Sequence, residues 1–346
     1  MHDPSRSSVI RFANAMRWLT LALALLWAGF VVVGKATAQT SSLDELISGV
    51  VRVKTFINPE ARTLQNLGRE REGSGIVIDS NGLVLTIGYL IVEADGVEIT
   101  SNDGRSVPAE VIGYDHETGF GLVRTLVPLK ARPMELGKSA DVKEKDKALV
   151  ASFGGPDSVL PVDVVIKREY VGSWEYMVSD ALFTAPPHPQ WSGAALISHD
   201  GKLIGVGSLI MGDISGKGDR IAGNMFVPID ALPPILGDLL SLGRVSGPGR
   251  PWLGVTTEEM RGRLVVSRVI TGSPAEKAGV HRGDVIVGVG AASDAPRNLA
   301  DFYRKIWAAG DAGVTVELDV LQDQEKRHIE VQSINRLDHL KLKSTY

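Results

Sequence analysis

Between residues 43 and 242 the sequence consists of short apolar runs separated by glycine-containing turns. Examples are SGIVIDSNGLVLTIG, DKALVASFGG and GKLIGVGSLIMG. Apolar runs bounded by Gly, Asn and Asp are typical of β-strands, and their regular spacing is typical of an all-β barrel or sandwich. The chain has 38 glycines among its 346 residues, which disfavours long helical bundles because glycine destabilises helix interiors. The sequence therefore predicts a mainly β fold for this region, closed by one helix over residues 228–242.

The composition excludes several classes of function. Lys and Arg number 37 against 41 Asp and Glu, a formal net charge of −4, so the chain has no basic excess with which to hold a phosphate backbone. It has no cysteine, which excludes disulfides, thiolate catalysis and metal sites that depend on thiolates. No phosphate-binding loop or dinucleotide motif is present, and the histidines are not spaced as metal ligands. We therefore expect no nucleic-acid partner, no bound metal and no cofactor.

Residues 1–38 have the pattern of an export signal. Three arginines precede the uncharged apolar run 18–33, and the A-x-A sequence at 36–38 suits cleavage directly after it. Because the apolar run is almost long enough to span a bilayer, the same segment could instead remain as a membrane anchor. In both cases we expect the rest of the chain to lie outside the cytoplasm, in the periplasm or another exported location.

The remaining chain divides at residues 246–251, SGPGRP, where two prolines and two glycines disfavour regular structure. We predict one domain over residues 39–245, a linker over 246–251, a second domain over 252–336 and a polar tail over 337–346. Within the second domain, apolar side chains recur at helical spacing and predict an amphipathic helix. These side chains are Leu299, Phe302, Tyr303, Ile306 and Trp307.

The second domain resembles PDZ domains. The segment GSPAEKAGV at 272–280, followed by RGDVI at 282–286, is similar to the PDZ signature. The local physics agrees, since proline suits the first turn of a helix and glycine suits its end. The resemblance implies an α/β domain in which a peptide is added as a strand and backbone amides hold its terminal carboxylate. It places those amides at Leu253, Gly254 and Val255 and implies peptides or unfolded proteins with free C-termini as partners; the alternative is a groove that is unused or filled by the chain itself.

The order of the domains is similar to that of HtrA/DegP-type proteases, which are trypsin-like serine proteases with a C-terminal PDZ domain. The similarity rests on GSGIVI at 73–78, WSGAAL at 191–196 and GKLIGV at 201–206, which stand where the family has its GSG strand, its nucleophile segment and the strand that follows. It implies a trypsin-like double β-barrel followed by an α/β PDZ domain. It also leaves homo-oligomerisation open, because members of the family assemble through their N-terminal segments.

The catalytic triad of the family is not intact in this chain. Trypsin-like hydrolysis needs a serine, a histidine that takes its proton and a carboxylate that orients the histidine. Residue-by-residue comparison gives Ser192 at the serine position, Tyr89 at the histidine position and Gly119 at the aspartate position. A tyrosine with a pKa of about 10 is a poor general base at neutral pH, and glycine has no carboxylate. We therefore predict a pseudoprotease that binds peptides without hydrolysing them; the alternative is a weak serine endopeptidase that uses Ser192 in periplasmic protein quality control.

The loop before Ser192 also departs from the family pattern. Gln190 stands where the family has a glycine whose amide faces the substrate carbonyl. If that position has a positive φ, glutamine is strained there or the loop has another shape. A misdirected donor lowers the rate of acyl transfer roughly 10²–10³-fold. His116 and His188 lie close to the protease segments in sequence, and each is predicted to be a turn or loop residue rather than a relocated base.

Overall fold

The computed structural model describes residues 43–290 and 295–342. The predicted signal segment, residues 1–38, lies outside the described residues, and so does the end of the predicted tail. Within the described ranges, no helix is both long enough and apolar enough to cross a membrane.

The first six strands close into an antiparallel barrel in the order β1-β2-β3-β6-β5-β4. Their bounds are β1 (Val50–Ile57), β2 (Glu70–Val77), β3 (Leu83–Ile87), β4 (Ala94–Thr100), β5 (Ser106–Tyr114) and β6 (Phe120–Thr125). A short helix, α1 (Leu64–Leu67), lies between β1 and β2. In β1, buried Val51 and Val53 alternate with the partly exposed Arg52 and Lys54, which is the pattern of a strand with one face on a core.

The next six strands close into a second antiparallel barrel in the order β10-β11-β12-β9-β8-β7. Their bounds are β7 (Lys147–Ala151), β8 (Val159–Gly172), β9 (Tyr176–Ala185), β10 (Ala195–Ser198), β11 (Leu203–Met211) and β12 (Gly223–Pro228). β8 and β9 form a long hairpin whose pairing continues to Gly172 and Tyr176, so residues 173–175 form its tip. The helix predicted over 228–242 begins later than expected, as α2 (Pro233–Leu242), after a single 3-10 turn.

The remaining strands form a five-stranded antiparallel sheet in the order β13-β14-β15-β16-β17, with β13 and β17 at its edges. Their bounds are β13 (Val255–Met260), β14 (Arg263–Val269), β15 (Val285–Val289), β16 (Thr315–Gln322) and β17 (Glu325–Gln332), with helices α3 (Pro274–Ala278) and α4 (Leu299–Ala308). α3 begins where the Ser273 side chain accepts a hydrogen bond from the Glu276 amide, and it ends at Gly279. The apolar face predicted for α4 packs into the core of the sheet through Leu299, Phe302, Tyr303 and Ile306.

This architecture confirms the predicted fold class. The chain is mainly β, with two six-stranded barrels followed by a smaller domain of sheet and helices. The predicted linker, residues 246–251, contains neither helix nor strand.

The segment predicted as a polar tail, residues 337–346, is ordered at its start rather than free. It begins inside a short helix, α5 (Arg336–His339), whose Leu337 is buried. The backbone amide of Lys341 donates a hydrogen bond to the Glu93 carboxylate in the first barrel, with a length of 2.7 Å. The composition of the segment is polar, but its one buried leucine and this hydrogen bond attach it to the rest of the chain.

Candidate functional site

Ser192 lies in the turn before β10, and the glycine-rich strand β2 fixes its position. The Ser74 amide donates to the Ser192 carbonyl at 2.8 Å. A Cβ on Gly73 would lie 2.9 Å from Ser192 Oγ, and a Cβ on Gly193, which has a φ of 72°, would collide with the Ser74 carbonyl. The GSG and SG sequences are therefore explained by the close approach of two backbones, which only glycine permits.

Tyr89, at the predicted histidine position, is a neighbour of Ser192 but directs its own proton away from it. It lies in a 3-10 turn after β3, and its hydroxyl donates to the Ser208 carbonyl at 2.8 Å. Burial raises the pKa of Tyr89 to about 12, although the neighbouring Ser192 and Trp191 act in the opposite direction. Ser192 Oγ is itself buried and has no hydrogen-bond partner among the described residues. The tyrosine therefore stays protonated at neutral pH and uses its proton elsewhere.

Gly119, at the aspartate position, has a φ of 85°, and the space next to it is taken by a second tyrosine. A Cβ on Gly119 would lie 2.7 Å from Tyr176 Oη. That hydroxyl donates to the Thr118 carbonyl at 2.8 Å, and burial raises the pKa of Tyr176 well above its usual value. The position thus lacks a carboxylate and also lacks room for one.

The loop before Ser192 has a different shape from the one that an oxyanion site requires. Gln190 does not have a positive φ, so the strain that we considered for it is absent. Its amide donates to Nδ1 of His188 at 3.1 Å, and its side-chain oxygen accepts from the Ser152 hydroxyl. Because Nδ1 accepts, the proton of a neutral His188 is on Nε2, which lies 3.2 Å from the Ser158 carbonyl. The amide two residues before Ser192 is therefore directed at His188 and not at a substrate.

One large cleft brings the three triad positions together. Its volume is about 940 Å³, and its wall includes Tyr89, Gly119 and Ser192 as well as His116 and Trp174. This volume is in the range of ligand-binding pockets. Nδ1 of His116 is buried and has no partner among the described residues. Among those residues, no group of three or more His, Asp and Glu side chains could hold a metal ion.

His116 gives the fold a measurable pH dependence. Burial, together with the nearby Arg336 and Arg250 and opposed by Asp115, lowers its pKa to about 4. The unfolded chain binds this proton near pH 6.5 and the folded chain does not, so stability falls as the pH drops from 6.5 towards 4. We expect His116→Gln to remove about 2 kcal/mol of the stability difference between pH 7 and pH 5 in urea unfolding. An equal pH difference in wild type and variant would show that the pKa of this histidine is the same in the folded and the unfolded chain.

The three amides predicted to hold the terminal carboxylate of a peptide donate hydrogen bonds to a carboxylate of the chain itself. The Glu175 carboxylate accepts hydrogen bonds from the amides of Leu253, Gly254 and Val255, with lengths of 2.9, 2.7 and 2.9 Å. Gly254 has a φ of 85°, and a Cβ there would collide with the Ser273 side chain, so glycine is required. Burial raises the pKa of Glu175, although the three amides act to lower it.

Sequence reasoning did not find Glu175, Tyr176 or the role of His188. Glu175 has a φ of 56°, unusual for a residue with a side chain, and lies in a segment that carries no recognisable motif. The sequence leaves open a groove filled by the chain itself, but it contains no local signal that identifies the occupant.

Comparison with known proteins agrees with the geometry. A profile of the trypsin-like peptidase domain matches residues 73–206, and a profile of the PDZ domain matches residues 251–332. A variant of the HtrA-type protease AlgW, solved with a tripeptide, superposes with a TM-score of 0.50 at 20% identity; it covers 84% of this chain and 96% of that one. This similarity concerns the fold.

Several curated proteins are similar over much of the chain. A protein named as the serine protease HhoA of Synechocystis sp. is 27% identical over 76% of this chain and 70% of its own length. Serine protease PepD of Mycobacterium tuberculosis is 29% identical over 84% of this chain and 67% of its own length. A DegP-like periplasmic serine endoprotease of Hahella chejuensis is 29% identical over 62% of this chain. The match spans only 47% of that last protein.

Proposed function

Because the chain combines an HtrA/DegP-type trypsin-like protease domain with a PDZ domain, we propose that it is an exported protein of this type that binds peptide ends without hydrolysing them. The observation that carries the proposal is the hydrogen bond of the Tyr89 hydroxyl, which goes to the Ser208 carbonyl while Ser192 Oγ has no partner. A serine hydroxyl without a base is a very weak nucleophile.

The electrophilic side of the site supports the same conclusion. Stabilising a tetrahedral intermediate requires preorganised amides that point at the developing oxyanion. The Gln190 amide instead donates its hydrogen bond to Nδ1 of His188. The hydrolytic machinery is thus weakened at the base, at the carboxylate and at the oxyanion donor.

The peptide-binding part of the proposal depends on the loop of Leu253, Gly254 and Val255. Three consecutive amides that converge on one carboxylate form the kind of nest that captures a C-terminus. Peptides or unfolded proteins with free C-termini are therefore the partners that this chemistry suits.

Relatives that are named periplasmic serine endoproteases support an exported, periplasmic location. Residues 1–38 are proposed to direct that export, either as a cleaved signal or as a retained membrane anchor. Homo-oligomerisation is part of the same proposal by analogy with the family alone.

The second candidate function is a weak serine endopeptidase that uses Ser192. One observation favours it: His116 lies on the wall of the same cleft, and its Nδ1 has no partner among the described residues. The low pKa of this histidine, about 4, makes it a weak base and limits the rate it could support.

The purified chain without its signal segment is expected to cleave unfolded casein at the same rate as a Ser192→Ala variant. The reason is that no hydrogen-bonded base activates Ser192. Cleavage is followed with a fluorescent casein derivative, and a fluorophosphonate probe reports whether Ser192 is nucleophilic. A tenfold difference between the two proteins, removed by a serine-directed inhibitor, would establish the endopeptidase in place of the pseudoprotease.

A further inference from the structure

The tip of the β8–β9 hairpin occupies the edge of the sheet where a PDZ domain takes its peptide. The Glu175 carboxylate lies on the amides of residues 253–255. The Ser173 carbonyl accepts a hydrogen bond from the Thr257 amide at 2.8 Å. Ser173 belongs to the second barrel and Thr257 to edge strand β13, so the hairpin adds to the sheet from outside.

These contacts run antiparallel to edge strand β13. The Glu175 side chain accepts a hydrogen bond from the Val255 amide, and the carbonyl of Ser173, two residues earlier, accepts one from the amide of Thr257, two residues later. The first hydrogen bond is made by a side chain and the second by the backbone, so the hairpin tip is not a paired strand of the sheet. It presents a carboxylate and a backbone carbonyl at the positions where a peptide added as a strand would present them.

The other wall of the groove, helix α4, also binds the hairpin. The Tyr303 hydroxyl donates to the Gly172 carbonyl at 2.9 Å and accepts from the Glu175 amide at 3.1 Å. Arg304 forms an ion pair with Glu169, and Val171 packs against the core of the sheet. The hairpin is thus held by strand β13, by the 253–255 loop and by α4.

We propose that the hairpin tip is a built-in ligand of the PDZ groove, and that the partners of this chain are C-terminal peptides that displace it. The proposal rests on the peptide-binding function proposed above and adds that the groove is closed in the free chain. A tethered ligand competes at the high effective concentration set by its attachment. The apparent Kd for an external peptide is the intrinsic Kd divided by the fraction of time in which the groove is free of the hairpin.

The hairpin contacts also define the chemistry of the competing peptide. Its terminal carboxylate replaces that of Glu175. An apolar side chain takes the place of Val171, and an acidic side chain upstream pairs with Arg304 in the place of Glu169. A suitable probe is the octapeptide REYVGSWV, which copies residues 168–174 and ends in valine with a free carboxylate.

Displacement of the hairpin changes the cleft as well. Trp174 and Tyr176 flank Glu175 and lie on the wall of the 940 Å³ cleft. Their rings stack with centroids 5.7 Å apart. A peptide that removes Glu175 from the groove is therefore expected to open the cleft wall around Gly119. If the peptide changes the affinity of the cleft for a ligand, that ligand changes the affinity of the groove for the peptide by the same factor.

The test measures binding of the fluorescent octapeptide to the full chain by anisotropy. Glu175→Gln keeps the length of the side chain but removes its charge and puts an amide NH₂ in place of one of the two oxygens that accept from these amides, and Glu175→Ala removes the contact. Both variants are expected to bind the octapeptide at least tenfold more tightly than the wild type. Asp180→Asn, a change to an exposed carboxylate on the same hairpin, is expected to match the wild type. An amidated octapeptide is expected to bind all four proteins at least tenfold more weakly.

Hydrogen exchange separates this proposal from the function on which it rests. Amides 253–255 are expected to exchange faster in Glu175→Ala than in the wild type. In the wild type, saturating octapeptide should speed exchange of the Glu175 amide, which donates to the Tyr303 hydroxyl, while keeping 253–255 protected. Equal octapeptide affinities in wild type and variants, or an unaltered hairpin at saturation, would overturn the built-in ligand and leave peptide binding intact.

Absence of binding to every protein would contradict the peptide-binding function. Faster exchange at 253–255 in Glu175→Ala would in that case still support the hairpin as the ligand of the groove, and unchanged exchange would overturn both proposals.

Discussion

A chain that carries both Tyr89→His and Gly119→Asp is expected to show no Ser192-dependent cleavage of casein. The aspartate meets two obstacles: the φ of 85° at Gly119, and Tyr176 Oη at 2.7 Å from the new Cβ. The Gln190 amide remains directed at His188, so the oxyanion donor is missing too. Adding Tyr176→Phe and Gln190→Gly removes the hydroxyl and frees the loop. We expect this quadruple variant to exceed the triple variant that keeps Gln190 by roughly 10²–10³-fold, the usual effect of one oxyanion donor.

Two controls make this comparison specific. Each variant is repeated with Ser192→Ala, which must abolish whatever activity appears. The triple variant without Gln190→Gly separates the contribution of the loop from that of Tyr176. Efficient cleavage by the double variant alone would show that neither the hydroxyl of Tyr176 nor the Gln190 loop is an obstacle.

Glu93→Ala is expected to destabilise the chain by about 3–5 kcal/mol, because it leaves a buried positive charge without its counter-charge. Glu93 is 3% exposed and accepts hydrogen bonds from the amides of Arg62, Thr63 and Lys341 and from the Thr63 hydroxyl. The same hydroxyl accepts from Arg71, whose guanidinium is buried and also bonds the Tyr89 and Val92 carbonyls. The loss is measured by urea unfolding.

The control is Glu110→Ala, which removes an exposed carboxylate from the same barrel and is expected to change stability by less than about 0.5 kcal/mol. Burial acts to raise the pKa of Glu93, but the hydrogen bonds from Thr63, Lys341 and Arg62 hold it below its usual value. Its contribution is therefore present at neutral pH and is lost as the pH falls through that lowered pKa. Equal stability of the two variants would mean that solvent compensates the Arg71 charge.

The parts of the fold that the sequence could predict are those that depend on the spacing of apolar residues within a single strand or helix. Alternation along β1 and the helical spacing of Leu299, Phe302 and Tyr303 each set a buried face within one element. Motif spacing also predicts that Tyr89 and Gly119 stand at the histidine and aspartate positions of the triad. Even there, only the structure shows that Tyr89 is bonded to Ser208, a residue more than a hundred positions away.

The parts that could not be predicted depend on pairs of residues that are distant in sequence. Glu175 contacts Val255 because a long hairpin of the second barrel extends to another domain. The residues next to each of them in sequence form no motif that predicts this contact. In the loop before Ser192, the Gln190 amide donates to Nδ1 of His188, and the His188 amide and carbonyl are bonded to Asn224, which is 36 positions further along the chain. Contacts of this kind depend on tertiary hydrogen bonds, and the helix and strand propensities of the residues carry no information about them.

The hydrogen bond between Lys341 and Glu93 has a mechanical consequence for the third sheet. That sheet is attached to the barrels by the 246–251 connection at its start, by the hairpin tip in its groove, by the hydrogen bond from Arg268 to Asn66 and by the segment after α5 at its end. A swing of the whole sheet about the first connection would have to break the other three attachments together. Release of the hairpin alone breaks one, so we expect the groove to open by peeling of the hairpin while the sheet stays in place.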